Sequence, residues 1–256
     1  MGKHCRCYDG GIFGIISVGM KIMQLNPFHK WHRQRHANKR ALRRLRRQSD
    51  HSFTVLYAKN MRSELSRLCQ KHGTDKGAID AAGHPMDIVH NYADFYEVVF
   101  GGMRRQVEHV LECGILRGES LRLWREYFPN ALITGVDIDE SALFNEERIE
   151  TFQADQTDPA SIKRFLERVN GRQFNVIIDD GLHTAEAAIT FFDNVIGNLA
   201  DDGIYIIEDA KPTMLLGVAE HLAQCGDDYD AKFVNLHRPG KPLENNSLAV
   251  ITKSQK

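Results

Sequence analysis

The stretch VEHVLECGILRGESLRLWREYFPNALITGVDID, residues 107–139, decides the fold. It opens with a short apolar run, 107–114, that ends at Gly114. A second glycine follows at Gly118, a helix begins at Glu119 (ESLRLWREYFP), and a second apolar run, ALITGVDI, closes on Asp137 and Asp139. A buried strand, a glycine turn, a helix and another buried strand make one unit of a parallel sheet.

The alternation continues outward. IETFQAD (149–155), FNVIIDD (174–180) and GIYIIED (203–209) read as further strands. Between them Ile162, Phe165, Leu166 and Val169 recur at helical spacing, as do Ala188, Phe191, Phe192, Val195, Ile196 and Leu199. Asp158-Pro159 supplies an N-cap followed by proline in the first helical position. The end of the chain changes character: AKFVNLHR (231–238), a turn-rich PGKPLENN, then SLAVITK (247–253), which predicts an antiparallel hairpin closing one sheet edge. The expected fold is α/β: a Rossmann-like, doubly wound, mostly parallel seven-stranded sheet with a C-terminal antiparallel hairpin. A helical region precedes it, with helices over 61–73 and 90–103 joined by a Gly-rich connector from Gly73 to Pro85. These helices would either cap the carboxyl ends of the strands or complete the core. Trp124, Tyr127 and Phe128 are expected in the core. Tyr92, Tyr96 and His90 are expected on the second helix, as an aromatic face on the core or a lid over a ligand.

Apolar residues make up 42% of the 256 residues and charged residues 26%, which excludes wholesale disorder and collagen-like architectures. The net charge of -1 hides a division. Residues 1–50 carry 12 Lys and Arg against 2 acids, leaving 21 against 32 for the rest. A basic arm, residues 1–60, thus precedes an acidic body, 61–256. The arm's apolar run, Gly11 to Met20, is too short for a bilayer core that takes ~20 helical residues, and it lacks the order of a signal peptide. The run HKWHRQRHANKRALRRLRR, 29–47, contains no acid. It reads as a solvated tail or, with the preceding apolar residues, as an interfacial helix on an anionic membrane through residues 11–47. A nucleic-acid partner is not expected, since no recognisable module is present and Trp31 alone is available for stacking. His29, His32 and His36, like Cys5 and Cys7, lack the second half of a closed metal site. Five scattered cysteines imply no disulfide framework and a cytoplasmic setting, peripheral at the inner membrane face if the arm binds lipid. Nothing in the sequence argues against a homo-oligomer.

Ligands of open α/β sheets bind beyond the carboxyl ends of the strands. The first strand ends in Glu112-Cys113-Gly114, with Gly118 and Ser120 following; the spacing is E-x-G-x-x-x-G rather than the G-x-G-x-x-G of dinucleotide folds. Asp137 lies 23 residues beyond Gly114, about where an acid bonds ribose hydroxyls. The third strand ends in Asp155-Gln156. Three polar strand ends with no phosphate-binding lysine suit a nucleoside-like ligand without pyrophosphate, which describes S-adenosylmethionine (SAM). The expected cofactor contacts are Glu112, Gly114, Gly118, Ser120, Asp137, Asp155, Gln156 and Asp179.

The chain resembles class I SAM-dependent methyltransferases and, more narrowly, macrolide-sugar O-methyltransferases of the mycinamicin and macrocin type. The resemblance rests on H-G-T-D-K-G at 72–77, H-N-Y-x-x-x-Y at 90–96, S-L-R-L-W-R-E-Y-F-P at 120–129, G-V-D-I-D at 135–139, A-D-Q at 154–156, I-D-D-G-L-H at 178–183 and I-E-D at 207–209. Leu182 stands where the family has Ser, and Glu119 where a smaller residue is usual. The resemblance implies SAM as methyl donor, a hydroxyl acceptor on a sugar or glycoconjugate, and Mg²⁺ or another divalent cation. It assigns Asp180, Glu208 and Asp209 to the metal and His183 to the general base, so that Asp180 and His183 carry the chemistry. The residue types agree: converging carboxylates repel one another unless a cation joins them, oxygen ligands favour a hard cation, and histidine accepts protons near neutrality. Glu208 and Asp209, as neighbours in a strand, can both face one ion only if the strand ends between them. An NAD-type oxidoreductase and a non-catalytic membrane adaptor are the competing readings.

Overall fold

The structure, a computed structural model, describes residues 27–48, 63–77, 90, 92–236 and 245–254. The apolar run Gly11–Met20, Cys5 and Cys7, the connector from residue 78 onward and most of the PGKPLENN loop lie outside the described residues.

Strand β1 (His109–Cys113) lies at the middle of a seven-stranded sheet. The chain winds outward through helix α4 (Glu119–Tyr127) to β2 (Leu132–Asp137) and β3 (Ile149–Gln153). Helix α5 (Pro159–Arg168) then carries it back across to β4 (Phe174–Asp179) on the other side of β1, followed by α6 (Ala185–Val195), β5 (Leu199–Ile207) and α7 (Pro212–Leu222). Strands β6 (Tyr229–Asn235) and β7 (Ser247–Lys253) complete the order β3-β2-β1-β4-β5-β7-β6. β1 to β5 pair in parallel; β7 pairs antiparallel with both β5 and β6. The predicted sheet and hairpin are both present. The winding reverses between β1 and β4, so the ligand crevice belongs above their carboxyl ends.

Two cores follow from the period-2 alternation of the strands. Val110, Ile133, Val176, Ile178, Ile206, Leu248 and Val250 face one layer, formed with α2 (Glu64–His72), α3 (Tyr92–Phe100) and α4. Leu111, Val136, Ile177, Tyr205, Ile207, Ala249 and Ile251 face the other, with α5, α6 and α7. Trp124, Tyr127 and Phe128 are fully buried in the first layer, each such side chain stabilising the fold by roughly 1.5–3 kcal/mol through area removed from water. The two early helices are shorter than their sequence patterns, and β5 begins at Leu199 rather than Gly203. Asp158 caps α5 as expected, its Oδ1 accepting from Ala160 N at 2.9 Å.

Residues 27–48 of the basic arm form α1 (Pro27–Gln48). Its later turns lie against α7: Ala41 and Leu45 are buried, and Arg44 pairs with Glu220 at 2.9 Å. No helix among the described residues is long and apolar enough to cross a membrane.

Candidate active site

The crevice is built from the ends of five adjacent strands, β3, β2, β1, β4 and β5. After β1 the chain turns sharply, with φ of 93° at Gly114 and 79° at Gly118. A Cβ on Gly114 would collide with the carbonyl oxygen of Asp180, and one on Gly118 with the Phe144 ring, so both positions require glycine. Asp137 holds this turn in place: its Oδ2 accepts from Ile115 N at 2.8 Å and Leu116 N at 3.3 Å, while Oδ1 accepts from Asp139 N at 3.0 Å. Asp155 also serves its own turn, accepting from the backbone N–H and hydroxyl of Thr157 at 2.8 and 2.7 Å, which hold its carboxyl below the usual range. Leu116, Ile138 and Leu182 stand exposed beyond β1, β2 and β4, at 76%, 63% and 60%, giving the mouth an apolar rim.

Gln156 turns inward. Its Nε2 donates to Asp179 Oδ1 at 2.5 Å, and its Oε1 accepts from Leu182 N at 2.8 Å. Asp179 shares the parity of Ile177 and points into the second core. Gly181 N donates to the same Oδ1 at 3.3 Å, while Oδ2 has no partner among the described residues. Burial pushes the Asp179 carboxyl up to about 7.

On the opposite face, Glu112 shares the parity of Val110 and points toward α4. Ser120 Oγ donates to its Oε2 at 2.8 Å. Its Oε1 is left without a hydrogen bond among the described residues, with Lys76 Nζ 3.5 Å away. Burial raises the Glu112 carboxyl to about 7 against the pull of Lys76. Lys76 itself was given no role by the sequence reading, although the H-G-T-D-K-G motif contains it. Its Nζ donates to Asp180 Oδ2 at 2.6 Å and to Glu208 Oε2 at 2.5 Å. Burial alone would depress it; Asp180, Glu208 and Glu112 outweigh that and hold the ammonium well above its ordinary range.

The strand does end before the Glu208-Asp209 pair, since β5 stops at Ile207, yet the two carboxylates diverge. Glu208 keeps the parity of Ile206 and enters the first core, where Tyr96 OH donates to its Oε1 at 2.6 Å and Lys76 takes Oε2. Asp209, at φ 50°, turns outward. Its Oδ1 accepts from Tyr92 OH at 2.6 Å and lies 3.0 Å from His90 Nδ1; its Oδ2 lies 3.5 Å from Asn245 Nδ2 and 3.9 Å from His183 Nε2. Burial raises its carboxyl, opposed mainly by His90. His183 is also left-handed, at φ 54°, a conformation that costs a non-glycine residue on the order of 1–3 kcal/mol and concentrates at functional sites. Tyr92 and Tyr96 are therefore buried core residues whose hydroxyls orient Asp209 and Glu208; His90 lies just before α3 rather than on it.

Asp180, His183 and Asp209 each offer one ligand atom, and the three atoms lie within 4.8 Å of one another. This donor set fits a divalent cation. Glu112 Oε1, buried beneath the glycine turn with no hydrogen bond among the described residues and the Lys76 ammonium 3.5 Å away, fits a ligand bearing a hydrogen-bond donor, as SAM does.

No family profile matches the chain. It is 33% identical over 154 residues to the 8-demethyl-8-alpha-L-rhamnosyl tetracenomycin-C 2'-O-methyltransferase of Streptomyces olivaceus, which covers 57% of this chain and 38% of the relative. Identity to the mycinamicin VI 2''-O-methyltransferase of Micromonospora griseorubida is 32% over 155 residues, covering 57% and 36%. The chain thus spans under two fifths of these relatives' length. Among solved structures, MycE methyltransferase from the mycinamycin pathway, in complex with Mg, SAH and mycinamycin VI, superposes with a TM-score of 0.57 at 26% identity, covering 76% of this chain and 55% of that one. The resemblance read from the motifs holds: the chain is similar to sugar O-methyltransferases and has the fold of class I methyltransferases.

Proposed function

We propose that the chain is a metal-dependent O-methyltransferase that moves a methyl group from SAM to a hydroxyl of a sugar on a small molecule or glycoconjugate. The observation that carries this reading is one crevice holding, side by side, a glycine turn above a buried glutamate whose Oε1 accepts no hydrogen bond among the described residues, and a carboxylate–imidazole cluster. A relative's name supplies the sugar: it is an O-methyltransferase of a rhamnosyl tetracenomycin.

Glu112, Gly114, Gly118 and Ser120 form the wall against which SAM is held, with Asp137, Asp155, Gln156 and Asp179 shaping the adjoining strand ends. Asp180 and Asp209 offer oxygens to the metal. Glu208, the third expected ligand, is engaged with Lys76 and Tyr96 and reaches the ion only by leaving them. When bound, SAM supplies an electrophilic methyl group and the divalent ion polarises the acceptor hydroxyl. His183, with its ring partly open to the crevice, takes the hydroxyl proton as general base. Asp209 faces Nε2 of that ring and stabilises the imidazolium that forms.

Turnover is tested with SAM, Mg²⁺ and a panel of glycosylated macrolides, read by mass spectrometry as a single added methyl. Calorimetry that detects no SAM binding would reject the assignment, and full turnover in excess EDTA would reject its metal half. Residues 11–47 are assigned to an anionic membrane surface, placing the enzyme in the cytoplasm at the inner face. Supporting this, Arg40, Arg43 and Arg47 of α1 remain exposed while Ala41 and Leu45 dock on α7. Co-sedimentation with phosphatidylserine vesicles undiminished from wild type, both in a chain lacking residues 1–26 and in a full-length chain whose three arginines are replaced, would refute it.

A further inference from the structure

The proposed chemistry leaves one strongly charged surface unused, the outer face of α1. Asn38, Ala41 and Leu45 recur at helical spacing and are buried as the helix lies against α7. That packing fixes the rotation of α1. Arg40, Arg43, Arg44 and Arg47, at i, i+3, i+4 and i+7, then form a second stripe on a different face. All four are exposed, and together they line a cleft of about 300 Å³.

Little offsets this charge. α1 contains no acid, and of the four arginines only Arg44 has an ion pair among the described residues, with Glu220 at 2.9 Å. Arg40 and Arg44, like Arg43 and Arg47, stand four residues apart, and the remaining neighbours three apart. Like charges at these spacings destabilise a helix, so the stripe carries a repulsion that a bound anion relieves. The residue type narrows the anion. Residues 40–47 hold five arginines and no lysine. Lysine would serve as well for attraction to a charged surface, whereas a guanidinium adds a planar fork that grips two oxygens of one anion. A phosphate monoester presents three terminal oxygens and a charge of about −1.5 to −2 at neutral pH, enough to be shared between neighbouring forks. The apolar run Gly11–Met20 precedes the stripe in the chain, which favours a phosphate carried on a lipid over a soluble one.

We propose that Arg40, Arg43, Arg44 and Arg47 form a phosphate-recognition stripe that selects lipids with a phosphomonoester headgroup, of which phosphatidic acid is the simplest, by guanidinium geometry and not by charge alone. This role rests on the membrane reading of residues 11–47 above and sharpens it. An arm that followed charge alone would rank membranes by surface potential; this one ranks them by headgroup.

The experiment is co-sedimentation of the full chain with phosphatidylcholine vesicles containing phosphatidic acid or phosphatidylserine, brought to equal zeta potential. Wild type is compared with Arg40→Lys/Arg43→Lys/Arg47→Lys, which keeps every charge, removes three forks and alters only exposed side chains; an unchanged melting temperature confirms its fold. Wild type should bind the phosphatidic acid vesicles at least about fivefold more tightly, the worth of one basic contact at a membrane surface, and the variant should keep its phosphatidylserine affinity while its preference falls below about twofold. Equal binding of the two lipids by wild type overturns the stripe's selectivity and leaves the membrane reading standing. A preference that survives in the variant, or a loss of both lipids to the same extent, also overturns it. Glycerol 3-phosphate that binds as tightly in calorimetry would make a soluble phosphate ester the ligand, and tighter retention on single-stranded RNA would make it a nucleic acid; either result overturns the lipid assignment. Binding to neither vesicle removes both the stripe and the membrane reading.

Discussion

Replacing Asp179 by asparagine tests the electrostatics of the crevice directly. The Asp179 carboxyl is pushed up to about 7 from an ordinary 3.8 because it is buried with one oxygen unpartnered. A folded-state pKa above the unfolded one means that the native protein binds the extra proton. The resulting stability is fully present below pH 3.8 and is lost as pH rises through 7. At about 1.4 kcal/mol per unit, the whole contribution is about 4 kcal/mol, of which roughly 2–3 kcal/mol disappears between pH 5 and pH 8. The amide side chain keeps the oxygen that accepts from Gln156 and Gly181 and cannot ionise. Any cost of placing its NH₂ group where Oδ2 stood is the same at both pH values and cancels. Urea unfolding in EDTA at pH 5 and pH 8, for wild type and Asp179→Asn, should therefore show the variant gaining roughly 2–3 kcal/mol on wild type across that interval. A stability difference that is the same at both pH values would refute the argument that Asp179 is desolvated.

Gly114→Ala should cost more than about 1 kcal/mol and abolish SAM binding, because the new methyl strikes the Asp180 carbonyl at a left-handed φ; calorimetry at wild-type affinity would contradict it. His183→Ala should slow turnover by roughly 10²–10⁴ with SAM affinity intact, so wild-type turnover would remove His183 from the chemistry. Tyr96→Phe leaves Glu208 Oε1 without its donor and should cost about 1–3 kcal/mol in urea melts; an unchanged midpoint would show that water replaces the hydroxyl.

The sequence by itself determined the sheet, because buried strands and amphipathic helices announce themselves through local periodicity. The β1 turn at Gly114, the cap at Asp158 and the C-terminal hairpin were all legible within a few residues of themselves. It also placed the candidate site residues at the carboxyl edge, since a polar residue ending an apolar strand has few other places to go. Their partners were another matter. Asp137 reads from the sequence as a ligand contact; that its Oδ2 also accepts from the N–H groups of Ile115 and Leu116, and its Oδ1 from that of Asp139, is visible only in the fold. Strand parity could warn that Glu208 and Asp209 diverge; it could not say that Tyr96 and Lys76 would meet one, and His90 and Tyr92 the other. Those contacts join residues more than a hundred positions apart, where the position of a side chain depends on how α2 and α3 pack over the strand ends. Charge neutralisation inside the crevice is therefore a tertiary property: a lysine in a loop looks solvated in one dimension and becomes a buried counter-ion only when three strands deliver their carboxylates to it.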